Sequence, residues 1–383
     1  MRAPGALLLA AFLALAPVSI SAAGPSWAQW QPIPGVFDLG GPRSDGSLVV
    51  AGSANLYLAD PAGNVTPFAR GPGGYREDAG AEAYMTVSPR AHVVGANCDF
   101  VPDETFLLRL HVPLGIERVD APGENTGSFA NISGVTSLNG IVFDTTGFFD
   151  HRLLVSGPAN GKSVIAAIDC NGTVQVITRS APVLEGGLAV APLGFGAFGG
   201  ALIAPDELSG NIYAITADGS VSTVATPLLP TGADIGVESL GFVPPGFMRG
   251  GEVYYADRLT QGNPHPGTDH VLRLLSADLA TAGVQDGDLL VTTEGGATMV
   301  AVRCGAACIV IPVVTAATTA HGEGHVVFTI DKTAPGPTPS PTARPSPQPS
   351  AAAVPRSNLI IAIIVAVALL AFVVGFTVAR RRK

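Results

Sequence analysis

Charge is scarce in this chain. Only 13% of its 383 residues are Asp, Glu, Lys or Arg, and they sum to −9. That leaves no basic face for a polyanion, so no nucleic-acid partner is expected. Cysteine is scarce as well, and no C-x-x-C pair exists among Cys98, Cys170, Cys304 and Cys308, which excludes a zinc ribbon. G-x-S-x-G is absent, so no nucleophile elbow can be argued. Gly71-Pro-Gly-Gly74 lacks the Lys and following helix of a phosphate-cradling loop. What the chain has in abundance is Gly (47) and Pro (32), the composition of a turn-dense β protein.

Both ends read as targeting segments. Residues 1–23 carry a short basic start, an apolar core at Leu7–Ala16 and a small-residue exit at Ser21-Ala22-Ala23. This is the pattern of a secretory signal peptide, with an alternative cut after Ala28. Near the other end, residues 358–379 contain the uncharged run Leu359–Ala379, which at 1.5 Å per residue reaches roughly 31 Å, enough for one transmembrane helix. The basic tail 380–383 should then stay in the cytoplasm. The expectation is a single-pass protein of the cell membrane with its N-terminal ectodomain outside. Between the two, residues 333–357 are rich in Pro, Ser, Thr and Ala and cannot pack a core; they read as a semi-rigid stalk.

The ectodomain, residues 29–332, is organised around Glu185–Ala225. Four short apolar runs, Leu188–Ala191, Ala201–Ala204, Ile212–Thr216 and Val221–Ala225, meet only through turns, the last being Asp218-Gly219-Ser220. Four strands in about forty residues make one blade of a β-propeller. Similar pieces recur at Leu48–Ala69, Leu153–Thr178 and Glu252–Leu279, and more weakly at Phe106–Val119 and His325–Asp331. Six units imply six four-stranded blades, with seven as the alternative count and a β-sandwich pair as the alternative architecture. Trp30–Gly40 is expected to supply a strand that closes the ring. A Phe after Gly147, Gly194 and Gly246 is expected to plug the space between blades.

Glu82, Glu185 and Glu238 each open a near-copy of the first strand, and Glu294 opens a looser one. In the third unit Asn131 or Ser133 stands at that place. First strands line a propeller's channel, so these four carboxylates should face one mouth. Clustered carboxylates repel unless solvated, protonated or sharing a cation. A Ca²⁺ ion, which takes six to eight oxygens, suits such a ring; the alternative is that each Glu accepts backbone N–H bonds and keeps blades in register. His321-Gly-Glu-Gly-His325 is not a helical metal motif, because its glycines oppose a helix, and it reads as exposed loop histidines. The polar insertion Thr260–His270 is a candidate binding loop through Asn263, His265, Asp269 and His270. In an oxidising compartment the four cysteines allow three pairings. Cys304 and Cys308 are close enough to clip one hairpin, which leaves Cys98 with Cys170.

In this blade pattern the chain from about 40 to 331 resembles extracytoplasmic β-propellers of the six-bladed gluconolactonase/NHL type, and the phrase Pro192-Leu-Gly-Phe-Gly-Ala-Phe-Gly-Gly-Ala-Leu202 is similar to a recurrent blade phrase of bacterial propeller proteins. The resemblance implies the propeller fold, and in its lactonase members a channel-mouth metal that polarises the substrate carbonyl. The tail resembles bacterial surface-sorting signals. It departs from them at Leu229-Pro-Thr-Gly232, which lacks the residue between Pro and Thr, and at Val354-Pro-Arg-Ser357. The chain thus reads first as a stalked, membrane-anchored binding module for a surface protein, glycan or wall component. The alternative is a Ca-dependent, lactonase-like hydrolase.

Overall fold

The computed structural model describes residues 24–70, 75, 81–314 and 318–331. The expected signal peptide 1–23, stalk 333–357, transmembrane segment 358–379 and tail 380–383 lie outside the described residues. Within the described residues no helix is long and apolar enough to cross a membrane.

Turn chemistry cuts the chain into short strands. Gly172 and Gly219, in the Asn-Gly and Asp-Gly turns, take φ of +79° and +85°, where a Cβ would be strained. Asp60 and Asp169 each fold a carboxylate back onto backbone N–H groups of their own turns. The strands between such turns pair into six antiparallel four-stranded sheets. From the centre outwards, blade 1 is Asp38–Gly40, Leu48–Gly52, Asn55–Ala59 and Val65–Phe68. Blade 2 is Met85–Val87, Thr105–Arg109, Gly115–Val119 and Thr126–Asn131, with an extra hairpin at Ala91–Val93 and Cys98–Phe100. Blade 3 is Gly140–Phe143, Leu153–Ala159, Lys162–Ile168 and Val174–Ala181. Blade 4 is Ala189–Val190, Leu202–Asp206, Asn211–Ile215 and Val221–Ala225.

The last two blades are interleaved. Blade 5 starts with Val237–Phe242, and its second strand should follow at once. Instead Glu252–Asp257 and His270–Leu275 pair with each other and with Gly322–Thr329, forming blade 6. The chain then passes through a short helix, Ser276–Thr281, and returns to blade 5 as Leu289–Thr293, Met299–Cys304 and Cys308–Val314. The first strand opened by Glu238 and the hairpin read at Glu252–Leu279 therefore belong to different sheets. Ala28–Pro32 adds to His270–Leu275 as the outer strand of blade 6, so the ring is closed by chain from both ends, and Asp38–Gly40 belongs to blade 1. The propeller has six blades, and inner strands of successive blades touch all the way round. The six blades, the closing strand and both disulfides are formed by residues 28–329.

Apolar side chains fill the wedges between blades. Phe195 packs edge-on to Phe242 and Phe247 edge-on to Phe328, in each case reaching from one blade to the inner strand of the next. In blade 3 the plug is Phe149, 4% exposed, whereas the expected Phe148 is 57% exposed and lies over Gly200. Trp27 donates its indole N–H to the Ala297 carbonyl at 2.9 Å, so ordered packing begins before residue 28.

Candidate functional site

The inner strands run side by side around a central channel whose two ends differ. At the end where these strands begin, blades 2, 4, 5 and 6 contribute Glu82, Glu185, Glu238 and Glu323. The second strands of blades 4, 5 and 6 end at the same mouth, each followed there by one long side chain: Glu207, Glu294 and Arg258. Six carboxylates thus share one opening with two basic groups. Arg258 Nη1 lies 2.6 Å from Glu82 and 3.3 Å from Glu323. His321 Nε2 lies 2.9 Å from Glu294 and 3.3 Å from Glu323.

Protons hold this cluster together. The Tyr84 hydroxyl contacts Glu238 Oε1 at 2.7 Å and Glu323 Oε2 at 2.9 Å. The two carboxyls thus share one phenolic proton. For Glu238, burial first, then the charges of Glu323 and Glu185, push its pKa well above the usual range. Burial, reinforced by Glu294, raises Glu207 to about 8, and the two carboxyls share a hydrogen bond. Burial and the Glu323 charge raise Glu82 to about 7 against the pull of Arg258. Glu185, despite a bond from Asn139 at 3.2 Å, rises to about 7 by burial. For His321 burial acts downward, but hydrogen bonds to Glu294 and Glu323 win and raise it to about 9. Its Nδ1 is buried with no hydrogen-bond partner.

Ligand atoms of Glu294, His321 and Glu323 all lie within 4.8 Å of one another, and all three residues are buried. Two carboxylates and an imidazole converging this closely are a fitting set for a divalent cation. The imidazole favours Mn²⁺ or Zn²⁺ over Ca²⁺, which prefers oxygen alone. Without a metal, the His321 proton supplies the positive charge between the two carboxylates.

Beyond the cluster the channel is blocked by a septum. Tyr84 crosses it from blade 2 to Glu238 on blade 5. His325 crosses it from blade 6 to blade 3, its Nε2 donating to the Ile141 carbonyl at 2.8 Å and its Nδ1 to Asp38 at 2.9 Å. Two acceptors require an imidazolium; burial opposes that charge, and Asp38 outweighs burial, raising His325. Asp38 also accepts backbone N–H bonds from Leu39, Met85 and His325. The strands approach so closely that a Cβ on Gly324 (φ +68°) would stand 2.2 Å from Asp38 Oδ1. Past the septum the channel opens again as an apolar funnel of about 670 Å³, lined by the far ends of all six inner strands and by no carboxylate.

No protein-family model matches the chain, and no curated protein matches it. It is similar in fold to solved six-bladed propellers. Virginiamycin B lyase from Staphylococcus aureus is 12% identical over 80% of this chain and 95% of that one, with a TM-score of 0.42. A candidate gluconolactonase is 14% identical over 79% and 96%, with a TM-score of 0.41. A protein of unknown function from Bacteroides thetaiotaomicron is 9% identical over 78% and 66%, with a TM-score of 0.40. At this distance the likeness concerns fold alone, and the site must be read from its own residues.

All four glutamates singled out in the sequence reach the same mouth, but in unequal roles. Glu238 is capped by Tyr84, Glu82 pairs with Arg258 and Glu185 with Asn139. Glu294 is not part of a first strand: it follows Leu289–Thr293, the second strand of blade 5. Asn139, not Asn131 or Ser133, represents blade 3 at this mouth; Asn131 ends that neighbour's outer strand and accepts from Arg109 at 2.5 Å. The histidines expected in an exposed loop are buried, His321 at 2% and His325 at 8% exposure. Glu323, Glu207 and Arg258 were missed. In a strand, residues two apart share a face, so the alternation His321-x-Glu323-x-His325 was the signal for the first of these.

The Thr260–His270 insertion is fastened down. Asn263 accepts from the His265 N–H, His265 Nδ1 meets the Thr318 carbonyl at 2.9 Å, and Asp269 accepts from Leu259. His270 opens a blade 6 strand, its Nδ1 2.8 Å from the Thr268 carbonyl. Disulfides join Cys98 to Cys170, linking the blade 2 hairpin to blade 3, and Cys304 to Cys308 within one blade 5 hairpin.

Proposed function

We propose that the carboxylate mouth binds a divalent cation and that the protein is a metal-dependent hydrolase acting on a small ester or lactone. The observation that carries this reading is the buried convergence of Glu294, His321 and Glu323, inside the half-buried rim of Glu82 and Glu185. Lewis-acid polarisation of a carbonyl oxygen is the chemistry a cation supplies at such a site. The surrounding residues are suited to the rest. Glu82 and Glu185, both raised to about 7 and half-buried at the rim, are poised to give or take a proton near neutrality. Arg258 lies against Glu82 and Glu323 and is placed to orient an anionic or carbonyl-bearing substrate. The signal-peptide and apolar-run patterns support placing this activity outside a cell membrane, on a single-pass anchor.

The test is thermal unfolding of residues 24–333 with Mn²⁺, Zn²⁺, Ca²⁺ or chelator, followed by a screen of esters and lactones. A cation bound only by the folded state raises the midpoint by mass action, by about 2.7 kcal/mol at a hundredfold excess over Kd. Mn²⁺ or Zn²⁺ should raise it more than Ca²⁺, and Glu323→Gln or His321→Ala should abolish the rise. A midpoint indifferent to every cation and to chelator would remove the metal and with it the hydrolase.

A further inference from the structure

The far end of the channel has no part in that chemistry. Its wall takes one apolar face from each blade: Leu39, Met85, Val142, Val190, Leu240 and Val327. The septum makes it blind. Among the described residues the only ionisable side chain that reaches it is His325, and both of its ring nitrogens are already bonded. The side-chain hydroxyls present belong to Thr86, Thr145 and Thr146, of which Thr146 is bonded to Asp144. The funnel therefore offers nothing to a charged group over its depth. From Leu240 to Pro244 its wall is four residue steps deep, roughly 13 Å of extended chain. Its volume lies within the range of small-molecule sites, roughly 300–1,000 Å³. The apolar surface continues outwards: Leu193 at the lip is 66% exposed, and the neighbouring Phe148 is 57% exposed.

We propose that this funnel is a second binding site, taking the hydrocarbon tail of an amphiphile. The apolar tail of an amphiphile enters end-on until it meets the His325 septum, and its polar head stays at the Leu193 lip. A flat surface patch would bind apolar matter without limit of length. A blind hole lined on every side measures the chain, and a wall without charge leaves the head group unread.

Residues 24–333 can be titrated calorimetrically with 1-hexanol, 1-octanol, 1-decanol and 1-dodecanol, then with dodecanoate and dodecyltrimethylammonium below their micelle concentrations. Affinity should rise about fourfold per methylene, the equivalent of about 0.8 kcal/mol, and stop rising once the chain spans the funnel. The three twelve-carbon heads should bind alike within about threefold. Val142→Trp, which fills the hole, should weaken binding at least tenfold. Leu193→Ser, at an exposed position that cannot unfold the protein, should weaken it several-fold. Glu323→Gln should leave it unchanged. The proposal is overturned by absence of binding, by affinity that climbs with length without a plateau, by strong preference for one head group, or by indifference to both funnel variants. Loss on Glu323→Gln would overturn it too, by moving the site to the carboxylate mouth. None of these results bears on whether that mouth binds a metal.

Discussion

The two ends of the channel share the same six inner strands, yet one end, together with the second strands of blades 4 and 5, gathers six carboxylates and the other none. The fold supplies a closed ring and six parallel inner strands, and position along those strands sets what the ring can do. The carboxylate end is titratable, with Glu82 and Glu185 balanced between protonated and ionised near neutral pH. The apolar end has no titrating group free to respond. What keeps the two apart is a layer one side chain thick, Tyr84 and His325, and both members cross the channel to an opposite blade.

Breaking that layer should have the largest effect. His325→Ala leaves the wholly buried Asp38 without its imidazole partner, and breaking a buried pair from one side costs about 3–5 kcal/mol; urea unfolding of residues 24–333 reads it directly. Phe149→Ala, deep between blades, should cost a similar amount, about 3–5 kcal/mol, while leaving both mouths intact. Tyr84→Phe deletes one hydroxyl and should cost about 1–3 kcal/mol. It should also change the pH dependence, because Glu238 and Glu323 lose the group between them.

That pH dependence sharpens the contrast between the ends. Folded Glu82 and Glu185 hold their protons up to about pH 7, against 4.5 for an ordinary Glu. The stability they contribute is full at and below the lower value and is lost as pH rises through the higher. Folded His321 titrates at about 9 against 6.5, so its contribution is full below the lower of these and is lost as pH rises through the higher. All three slopes have one sign, and the thermal midpoint should fall from about pH 5 to about pH 9. Glu185→Gln should flatten the lower part and His321→Gln the upper, whereas Leu240→Val in the funnel should lower the whole curve without changing its shape. The smallest effect belongs to Phe148→Ala: exposed at the lip, it should move stability by no more than about 0.5 kcal/mol.

Much of the ring was legible in the sequence because blades 1 to 4 are built from consecutive strands. Glu185–Ala225 could be read as a sheet from its turns alone. Local pattern fails at Glu252–Leu279, since nothing in a hairpin's own residues says which inner strand it will join. The site was legible to the extent that it repeats: Glu82, Glu185 and Glu238 were found by their equivalent places in blades 2, 4 and 5. Glu207 and Arg258 follow second strands and repeat nothing visible. Glu323 was hidden by flanking glycines, which read as a loop. They serve closeness instead: a Cβ on Gly322 would stand 2.2 Å from the Tyr255 ring, just as one on Gly324 would collide with Asp38.

The crossing of chain between blades 5 and 6 limits how such a ring can change. Blades 1 to 4 are modules: each could be copied or deleted as one uninterrupted stretch of gene, and the ring would gain or lose one sector. No single stretch between residues 237 and 329 encodes one blade. Copying either half would leave an inner strand without its sheet, so these two blades can be inherited only as a pair. Since that pair carries Glu238, Glu294, Arg258, His321 and Glu323, the greater part of the carboxylate mouth is locked to the one region of the propeller that cannot be shuffled.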